Sequence, residues 1–465
     1  MSLNSNPSSS TSTQAKARTE RCLSASQIAK DVGAFEVWAD YQGCEEVSFS
    51  TDLPVSIKAH TDEVFKLQGH LPKVWMTEGT KVCRNLARFA DPEFLKFLTV
   101  AQASQPDLFS AKVPHDDEAR GILRDLQTVF MAWESARRMR ESSRKWSEAD
   151  YAAGVYGLVR RAAIRCSEQR EQCTIALPQP LSRHKVTSET ARILKGKTVK
   201  PDGSLFIPTR LLVSELCERE QSPFNILHRH SRSIQKNGAS KGDASFRYQS
   251  TLCARLPDAC VFEVASAFWE DKKPAQDELA VAYRQNRMAS TAALRQLHAL
   301  NVHAPVFGMV WADGGVRAHT DWWDVKTEGK DQVLKIYSAA YGDPPAPGDR
   351  RQSSAFNQWN LAEPADIIQV YLFMRNLDRW TTGAFRDAVV AGITDLAGRV
   401  KEDEADVVSW RRKGDFSPSV ARKVVAPPPP EPDTVSAEPA ATPAAKQRKA
   451  KKRKHVPRTS LGSNC

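Results

Sequence analysis

Long apolar segments are missing from this sequence. No apolar run approaches the roughly 20 residues that a helix needs to cross a bilayer. The first residues are rich in Ser, Thr and Asn and contain no apolar segment of the secretory type. These two absences predict a protein without a membrane partner, and they disfavour a secreted effector that enters a host nucleus.

Paired cysteines are also missing. The nine cysteines are scattered along the chain, and none forms a Cys-x-x-Cys pair. This distribution argues against a zinc finger and against a disulfide scaffold. It predicts an intracellular protein whose thiols are reduced.

Several well-known catalytic motifs are absent from the sequence. It has no Gly-rich phosphate loop, no kinase His-Arg-Asp or Asp-Phe-Gly set and no Gly-x-Ser-x-Gly elbow. It also lacks a heptad array and a detectable internal repeat. The protein is therefore neither a P-loop nucleotidase nor a protein kinase by sequence.

What the sequence does have is an excess of positive charge. The formal net charge is +11 over 465 residues, with 41% hydrophobic and 26% charged residues. This composition is ordinary for a globular protein, and the length allows two domains. A basic protein suits a polyanionic partner such as DNA or another nucleic acid.

Helix-start patterns are concentrated in the first half of the chain. Asp91 followed by Pro92 is a typical helix start, and Ser147-x-x-Asp150 resembles a capping box. The spacing of apolar residues predicts a long helix over about Asp116–Lys145. Two further helices are predicted near the end, over Pro364–Trp380 and Thr382–Lys401.

These patterns predict an α+β protein with a helical N-terminal domain, a C-terminal α/β domain and disordered termini. The boundary is placed where strand-like and turn-like segments replace the helices. The predicted segments are 1–23 (disordered), 24–170 (mostly helical), 171–401 (α/β) and 402–465 (a disordered Pro/Ala-rich tail).

The stretch Leu256–Lys273, LPDACVFEVASAFWEDKK, carries the chemistry that organises this interpretation. Two β-prone runs, Ala259–Val264 and Ala267–Lys272, are predicted to pair as adjacent strands. Because side chains alternate between the faces of a strand, Glu270 and Lys272 share one face. Asp258 starts the first predicted strand, Asp258–Val264, so two carboxylates and one ammonium could converge at one edge of the sheet.

The segments that follow this stretch have clear local patterns. Glu278–Leu300 is predicted to be a helix, with Asp277 as a possible cap. After it, Asp313-Gly314-Gly315 separates two alternating runs, which is a strong hairpin pattern. The predicted order is therefore strand, strand, helix and hairpin.

The residues Pro257-Asp258 and Glu270-Asp271-Lys272 resemble the PD-(D/E)XK nuclease motif. The segment Ser214–Trp323 is similar to the nuclease-like region that accompanies fungal-type protein kinases and crinkler-type effectors. The resemblance implies a restriction-endonuclease-like fold and a magnesium-dependent DNA nuclease.

The same resemblance assigns roles to individual residues. It implies that Asp258 and Glu270 bind Mg²⁺ and that Lys272 is the catalytic lysine. The Asp271 carbonyl is a possible third ligand. An acid on the preceding helix, Glu215 or Glu218, is a candidate to complete the site.

An alternative interpretation of this stretch needs no metal. Pro-Asp occurs four times, at Asp107, Asp202, Asp258 and Asp433, and only Asp258 leads directly into an apolar run that ends in acid-x-lysine. Asp258 could instead cap a strand, and the charges after Trp269 could be a solvated strand end. The protein would then be a catalytically inactive nuclease-fold module that binds nucleic acid or protein in the nucleus.

Two other basic segments are candidate phosphate contacts. Polar, basic His228–Gly242 is predicted to be a flexible loop. The other group could form a phosphate-binding face or could simply be solvated cations near helix C-termini. Its members are Arg137, Arg138, Arg140, Arg144 and Lys145, with Arg160, Arg161 and Arg165 on the next helix.

The C-terminal tail ends in a dense basic run. Between Lys446 and Lys454, seven of nine residues are Lys or Arg, and they follow a Pro/Ala-rich spacer. The cluster Lys451, Lys452, Arg453 and Lys454 has the composition that an importin-type receptor binds. The tail therefore predicts nuclear localisation, with general nucleic-acid binding as the alternative.

Overall fold

The computed structural model describes most of the chain between residues 22 and 411. The described ranges are 22–112, 116–181, 186–236, 246–257, 259–272, 276–329, 331–342, 356–405 and 407–411. Met1–Ser417 forms one compact unit, and Pro418–Cys465, the second unit, lies outside the described ranges.

Helices make up most of the regular structure. They are α1 (Ala25–Lys30), α2 (Val32–Tyr41), α3 (Val55–Val64), α4 (Lys81–Phe89), α5 (Pro92–Ser104), α6 (Asp116–Glu141), α7 (Glu148–Tyr151), α8 (Gly157–Ala163), α9 (Ser188–Leu194), α10 (Arg210–Leu216), α11 (Pro223–Lys236), α12 (Phe246–Ser250), α13 (Gln276–Ala299), α14 (Pro364–Thr382) and α15 (Ala384–Lys401). A π-helical segment, Ala152–Tyr156, joins α7 to α8. No helix in the described ranges combines the length and apolarity needed to cross a membrane.

The strands of the described residues are mostly short. They are β1 (Cys44–Val47), β2 (Leu71–Pro72), β3 (Phe109–Ser110), β4 (Glu168–Glu171), β5 (Ile175–Ala176), β6 (Thr198–Val199), β7 (Gly203–Phe206), β8 (Ala265–Lys272), β9 (Val306–Ala312), β10 (Gly315–Glu328), β11 (Asp331–Ala340) and β12 (Gln358–Asn360).

Eight of these strands form one mixed sheet. Its order is β1-β11-β10-β9-β8-β7-β4, and β12 pairs with β10 off this path. The β1–β11 and β8–β9 pairs are parallel, whereas the other pairs are antiparallel. The central strands β8 and β9 are almost wholly buried. They therefore form the rigid centre of the fold.

Two helix caps and one hairpin formed as the sequence predicts. The Asp91 side chain accepts a hydrogen bond of 2.8 Å from the Glu93 amide at the start of α5, and Ser147 and Asp150 form the capping box of α7. The predicted hairpin is confirmed: β9 and β10 pair antiparallel around Asp313 and Gly314. Both turn residues have positive φ, 51° and 68°, as a two-residue type I′ turn requires.

The long helix α13 packs against β8 and β9. Every residue from 286 to 297 is buried, so the central turns of the helix are enclosed by the sheet on one side and by other elements around them. The buried residues include Met288, Ala289, Ala292, Ala293 and Leu297. The predicted helix Glu278–Leu300 is confirmed within one or two residues at each end.

The predicted strand Ala259–Val264 is wrong. These residues have irregular structure with a single bridge between Glu263 and Thr251. The antiparallel neighbour of β8 is instead β7, far earlier in the chain, and its other neighbour is the parallel strand β9. The predicted hairpin between the two runs therefore does not form.

Two further predictions, the loop at His228–Gly242 and the boundary at residue 170, are compared with the structure as follows. Helix α11 extends through His228 to Lys236 because Phe224, Leu227 and Ser231 are buried, so this part of the predicted loop is helical. The boundary placed at residue 170 falls within β4. Helices before it and strands after it share one hydrophobic cluster.

Candidate active site

Strand β8 carries two of the predicted site residues on one face. Glu270 is fully buried, and Lys272 is largely covered. The strand register pairs Gly203 of β7 with Trp269. Asp202, which comes directly before β7, is therefore placed opposite Glu270.

Side-chain contacts join these three residues into what we call the acid–lysine cluster: Asp202, Glu270 and Lys272. The Lys272 Nζ lies 2.9 Å from Glu270 Oε2 and 3.5 Å from Asp202 Oδ2. The Asp271 amide donates a hydrogen bond of 2.9 Å to Asp202 Oδ2. The structure thus brings together a Pro-Asp and the acid-x-lysine, but the Pro-Asp is Pro201-Asp202.

Sequence analysis had favoured Asp258, which lies outside the described residues. Asp202 was missed although Pro201-Asp202-Gly203 stands directly before the β-prone run SLFI. That pattern, a turn leading into a strand, was the available indication. The criterion that favours Asp258, an apolar run that leads directly to acid-x-lysine, excludes Asp202, because α10, α11 and α12 separate β7 from β8 in the chain.

The electrostatics of the cluster are those of a strongly desolvated site. Burial raises the pKa of Glu270 well above its usual range; the Lys272 ammonium lowers it, and the neighbouring Asp202 carboxylate raises it further. Burial alone lowers the pKa of Lys272, but the Glu270 and Asp202 carboxylates outweigh burial, and that pKa is raised. Glu148 of α7 contributes in the same direction.

One oxygen of the cluster has no hydrogen-bond partner among the residues that the structure describes. This atom is Glu270 Oε1, which is buried. A buried carboxylate oxygen without a partner is costly, and such an atom in a native site calls for an explanation such as an ion or a water.

The carboxylates of the acid–lysine cluster are oxygen donors, the kind of ligand that hard divalent cations take. Within the described ranges, no group of three or more His, Cys, Asp and Glu side chains is placed to hold a metal. Magnesium, however, uses one or two carboxylates and keeps several waters. Asp202, Glu270 and the Asp271 carbonyl are the groups of this chain that would bind it.

The opposite face of β8 is held by a buried ion pair. The Arg160 guanidinium of α8 binds both carboxylate oxygens of Asp271, one of them at 2.9 Å. It also lies over the rings of Trp311 at 4.4 Å and Trp269 at 4.9 Å. Arg160 is therefore a positioning element of the strand and is not part of a phosphate-binding face.

The other predicted basic residues separate into two groups. Arg165 pairs with Asp125 at 2.6 Å, Arg137 lies 3.8 Å from Glu141, and Arg138 bonds to its own helix; Arg161 is exposed. By contrast, Arg144 and Lys145 line a cavity of about 770 Å³ together with Arg140, which also lies 3.8 Å from the Glu363 carboxylate. We call this the basic cavity; its walls also contain Trp146, Tyr151, Asp313–Gly315, Gln358 and Asn360.

The basic cavity adjoins the acid–lysine cluster. Lys272 is the ladder partner of Ala312, the last residue of β9, and the turn residue Asp313 that follows lines the cavity. The short helix α7 links the two regions again, because Tyr151 lines the cavity and Glu148 acts electrostatically on Lys272.

Of the remaining predicted residues, Glu215 and Glu218 are described, and neither makes a described contact with the cluster. Glu215 forms an ion pair with Arg386 of α15, and Glu218 is exposed. The basic residues Lys451, Lys452, Arg453 and Lys454 lie outside the described ranges.

Comparison of the chain with protein-family models and with curated protein sequences found no match in either case. The functional interpretation therefore depends on the geometry of the cluster and its surroundings.

Proposed function

We propose that this protein is a magnesium-dependent phosphodiesterase that acts on nucleic acid, most directly a DNA nuclease. The observation that carries the proposal is the convergence of Asp202, Glu270 and Lys272 where β7 begins and β8 ends. In this arrangement Pro201-Asp202 and Glu270-Asp271-Lys272 resemble the PD-(D/E)XK motif, with Asp202 in the position first given to Asp258.

The proposed roles follow from the chemistry of each side chain. Asp202 and Glu270 would hold Mg²⁺, which, when bound, would lower the pKa of a water and stabilise charge on the phosphoryl oxygens. The Lys272 ammonium lies beside both carboxylates, where it can hold the scissile phosphate and favour the hydroxide form of water. The buried walls around Glu270 exclude bulk water and so strengthen these charge interactions.

A second candidate function is a non-catalytic binding module that keeps the same fold. The observation that favours it is that Lys272 contacts both carboxylates, which partly neutralises their charge without a metal. In that case the cluster stabilises the junction of β7 and β8, and the positive charge of the protein serves for binding nucleic acid or protein.

We further propose that the protein acts in the nucleus. The support is the basic run that contains Lys451, Lys452, Arg453 and Lys454, which has the composition that importin-type receptors bind.

Cleavage of plasmid DNA tests the catalytic proposal. Purified full-length protein is incubated with Mg²⁺, Mn²⁺ or a chelator, beside Asp202→Asn, Glu270→Gln and Lys272→Ala. Each variant is expected to lose about 100-fold or more in rate, because several kcal/mol of transition-state stabilisation depend on the metal and the lysine.

Asp258→Asn is the matched control for this experiment. It removes the carboxylate of another Pro-Asp pair, and we expect it to keep wild-type activity. Loss of activity in Asp258→Asn but not in Asp202→Asn would show that the metal ligand is wrongly assigned. Activity that survives all three site substitutions would indicate a contaminant, and DNA binding without cleavage in any metal would favour the binding module.

A further inference from the structure

The basic cavity has features that the proposed cleavage chemistry does not use. Arg144 and Lys145 are exposed at its edge, while Tyr151 is buried in its wall. The half-buried Trp146 lies against the Arg144 guanidinium, 4.7 Å from the ring centroid. The cavity therefore combines cations with aromatic surface in one concave space.

The indole nitrogen of Trp146, a residue that lines this cavity, lacks a hydrogen-bond partner in the described part of the chain. This atom, Nε1, is buried. An indole N–H donates only, and when buried it usually finds an acceptor. Phosphate oxygens, sugar hydroxyls and base carbonyls are acceptors of this kind.

We infer that the basic cavity binds one unpaired nucleic-acid strand and leads it to the acid–lysine cluster. This inference rests on the proposed function and adds the class of substrate. Proteins that hold single strands combine a cationic groove along the phosphates with aromatic rings on which bases stack. Arg140, Arg144 and Lys145 supply the first, and Trp146 with Tyr151 supplies the second.

The concave shape favours a single strand over a duplex. In a duplex each base is stacked and paired, so its faces cannot meet side chains in a cavity unless the base is turned out. A cavity of about 770 Å³ with aromatic walls accommodates unpaired nucleotides. Tyr151 of the cavity and Glu148, which acts electrostatically on Lys272, both lie on the short helix α7, so a strand in the cavity would lie near the cluster.

Binding measured in chelator tests the inference without requiring cleavage. Fluorescence anisotropy compares a labelled single strand and the matching duplex with full-length wild type and with Arg144→Ala/Lys145→Ala and Trp146→Ala. Each variant is expected to bind the single strand about tenfold more weakly. Losing two phosphate contacts should also reduce the salt slope by about 1.4.

Arg84→Ala/Arg88→Ala is the matched control, since it removes two exposed cations from α4. We expect it to leave single-strand affinity unchanged. An equal loss of affinity in both double variants would overturn the inference, because total charge alone would then explain binding. An equal loss for duplex and single strand in the cavity variants would also overturn it.

Photo-crosslinking identifies the peptides that contact the single strand. It therefore separates binding at the basic cavity from binding at the basic tail. A single strand that carries 5-iodouracil is irradiated with the wild-type protein in chelator, and the crosslinked peptides are identified by mass spectrometry. Crosslinks to the peptide that contains Trp146 or Tyr151 support the inference. Crosslinks confined to Pro418–Cys465 contradict it, even if the plasmid assay shows a working nuclease.

Discussion

Glu270 is a carboxyl group buried beside another carboxyl group, that of Asp202. Burial and this neighbour raise its pKa, although Lys272 opposes them. The folded protein therefore holds a proton on Glu270 at pH values where the unfolded chain, with a pKa of about 4.3, has lost it. The stability that this residue contributes is complete below about pH 4.3 and is lost as pH rises toward the folded pKa.

Glu270→Gln should consequently gain stability relative to the wild type as pH rises. The amide cannot ionise, so it avoids the cost of a buried charge, which grows by at most about 1.4 kcal/mol per pH unit. The measurement is the midpoint of thermal unfolding of both proteins, without metal, between pH 5 and pH 8. A difference that stays constant over this range would show that Glu270 does not titrate with a raised pKa.

Strand β8 is held at both faces by charged side chains. One face carries the acid–lysine cluster, and the other carries the Asp271–Arg160 pair, in which both side chains are nearly inaccessible. A buried ion pair is weak support for net stability, but removing one partner leaves an uncompensated charge. The pair therefore links α8 to β8 and fixes the position of the strand relative to this helix.

Arg160→Leu is expected to lower the free energy of unfolding by about 3 to 5 kcal/mol. The double variant Arg160→Leu/Asp271→Leu should recover much of this loss, since neither charge then remains buried alone. Urea unfolding of the three proteins gives the values.

Arg399→Leu provides the control, because its pair with Asp395 is half-exposed. Its effect should be about 1 kcal/mol or less. A loss in Arg160→Leu no larger than in this control would mean that the buried pair does not hold β8.

At the scale of the whole molecule, charge is unevenly distributed along the chain. Pro427–Cys465 contains eight Lys or Arg and three acidic residues, so it supplies much of the net charge of +11. The dense run at Lys446–Lys454 follows a Pro/Ala-rich spacer, which is typical of a segment that a receptor can reach.

Truncation after Ala445 should abolish nuclear enrichment of a fluorescent fusion, because it removes the whole basic run. Truncation after Pro457 keeps the run and is the matched control, which should behave as the full chain does. Quantitative imaging of the nuclear and cytoplasmic signals makes the comparison. Equal nuclear accumulation of the two truncated proteins would show that the run is not the import signal.

The sequence by itself determined the elements whose formation depends on residues that are close together in the chain. The caps at Asp91 and Ser147 and the Asp313-Gly314 turn predicted two helices and a hairpin that the structure confirms, and the helix predicted over Glu278–Leu300 is α13. The shared face of Glu270 and Lys272 followed from the two-residue period of a strand. Each of these features depends on residues only a few positions apart, so the amino-acid sequence is sufficient to predict it.

Only the tertiary structure decided which strand lies beside β8 and which aspartate faces Glu270. Four Pro-Asp pairs were available in the sequence, and β7 reaches β8 across three intervening helices. Likewise β1, near the start of the chain, pairs with β11, near the end of the sheet. Such pairings are chosen by burial of the whole sheet against α13 and the other helices, a sum over distant contacts that no local pattern contains.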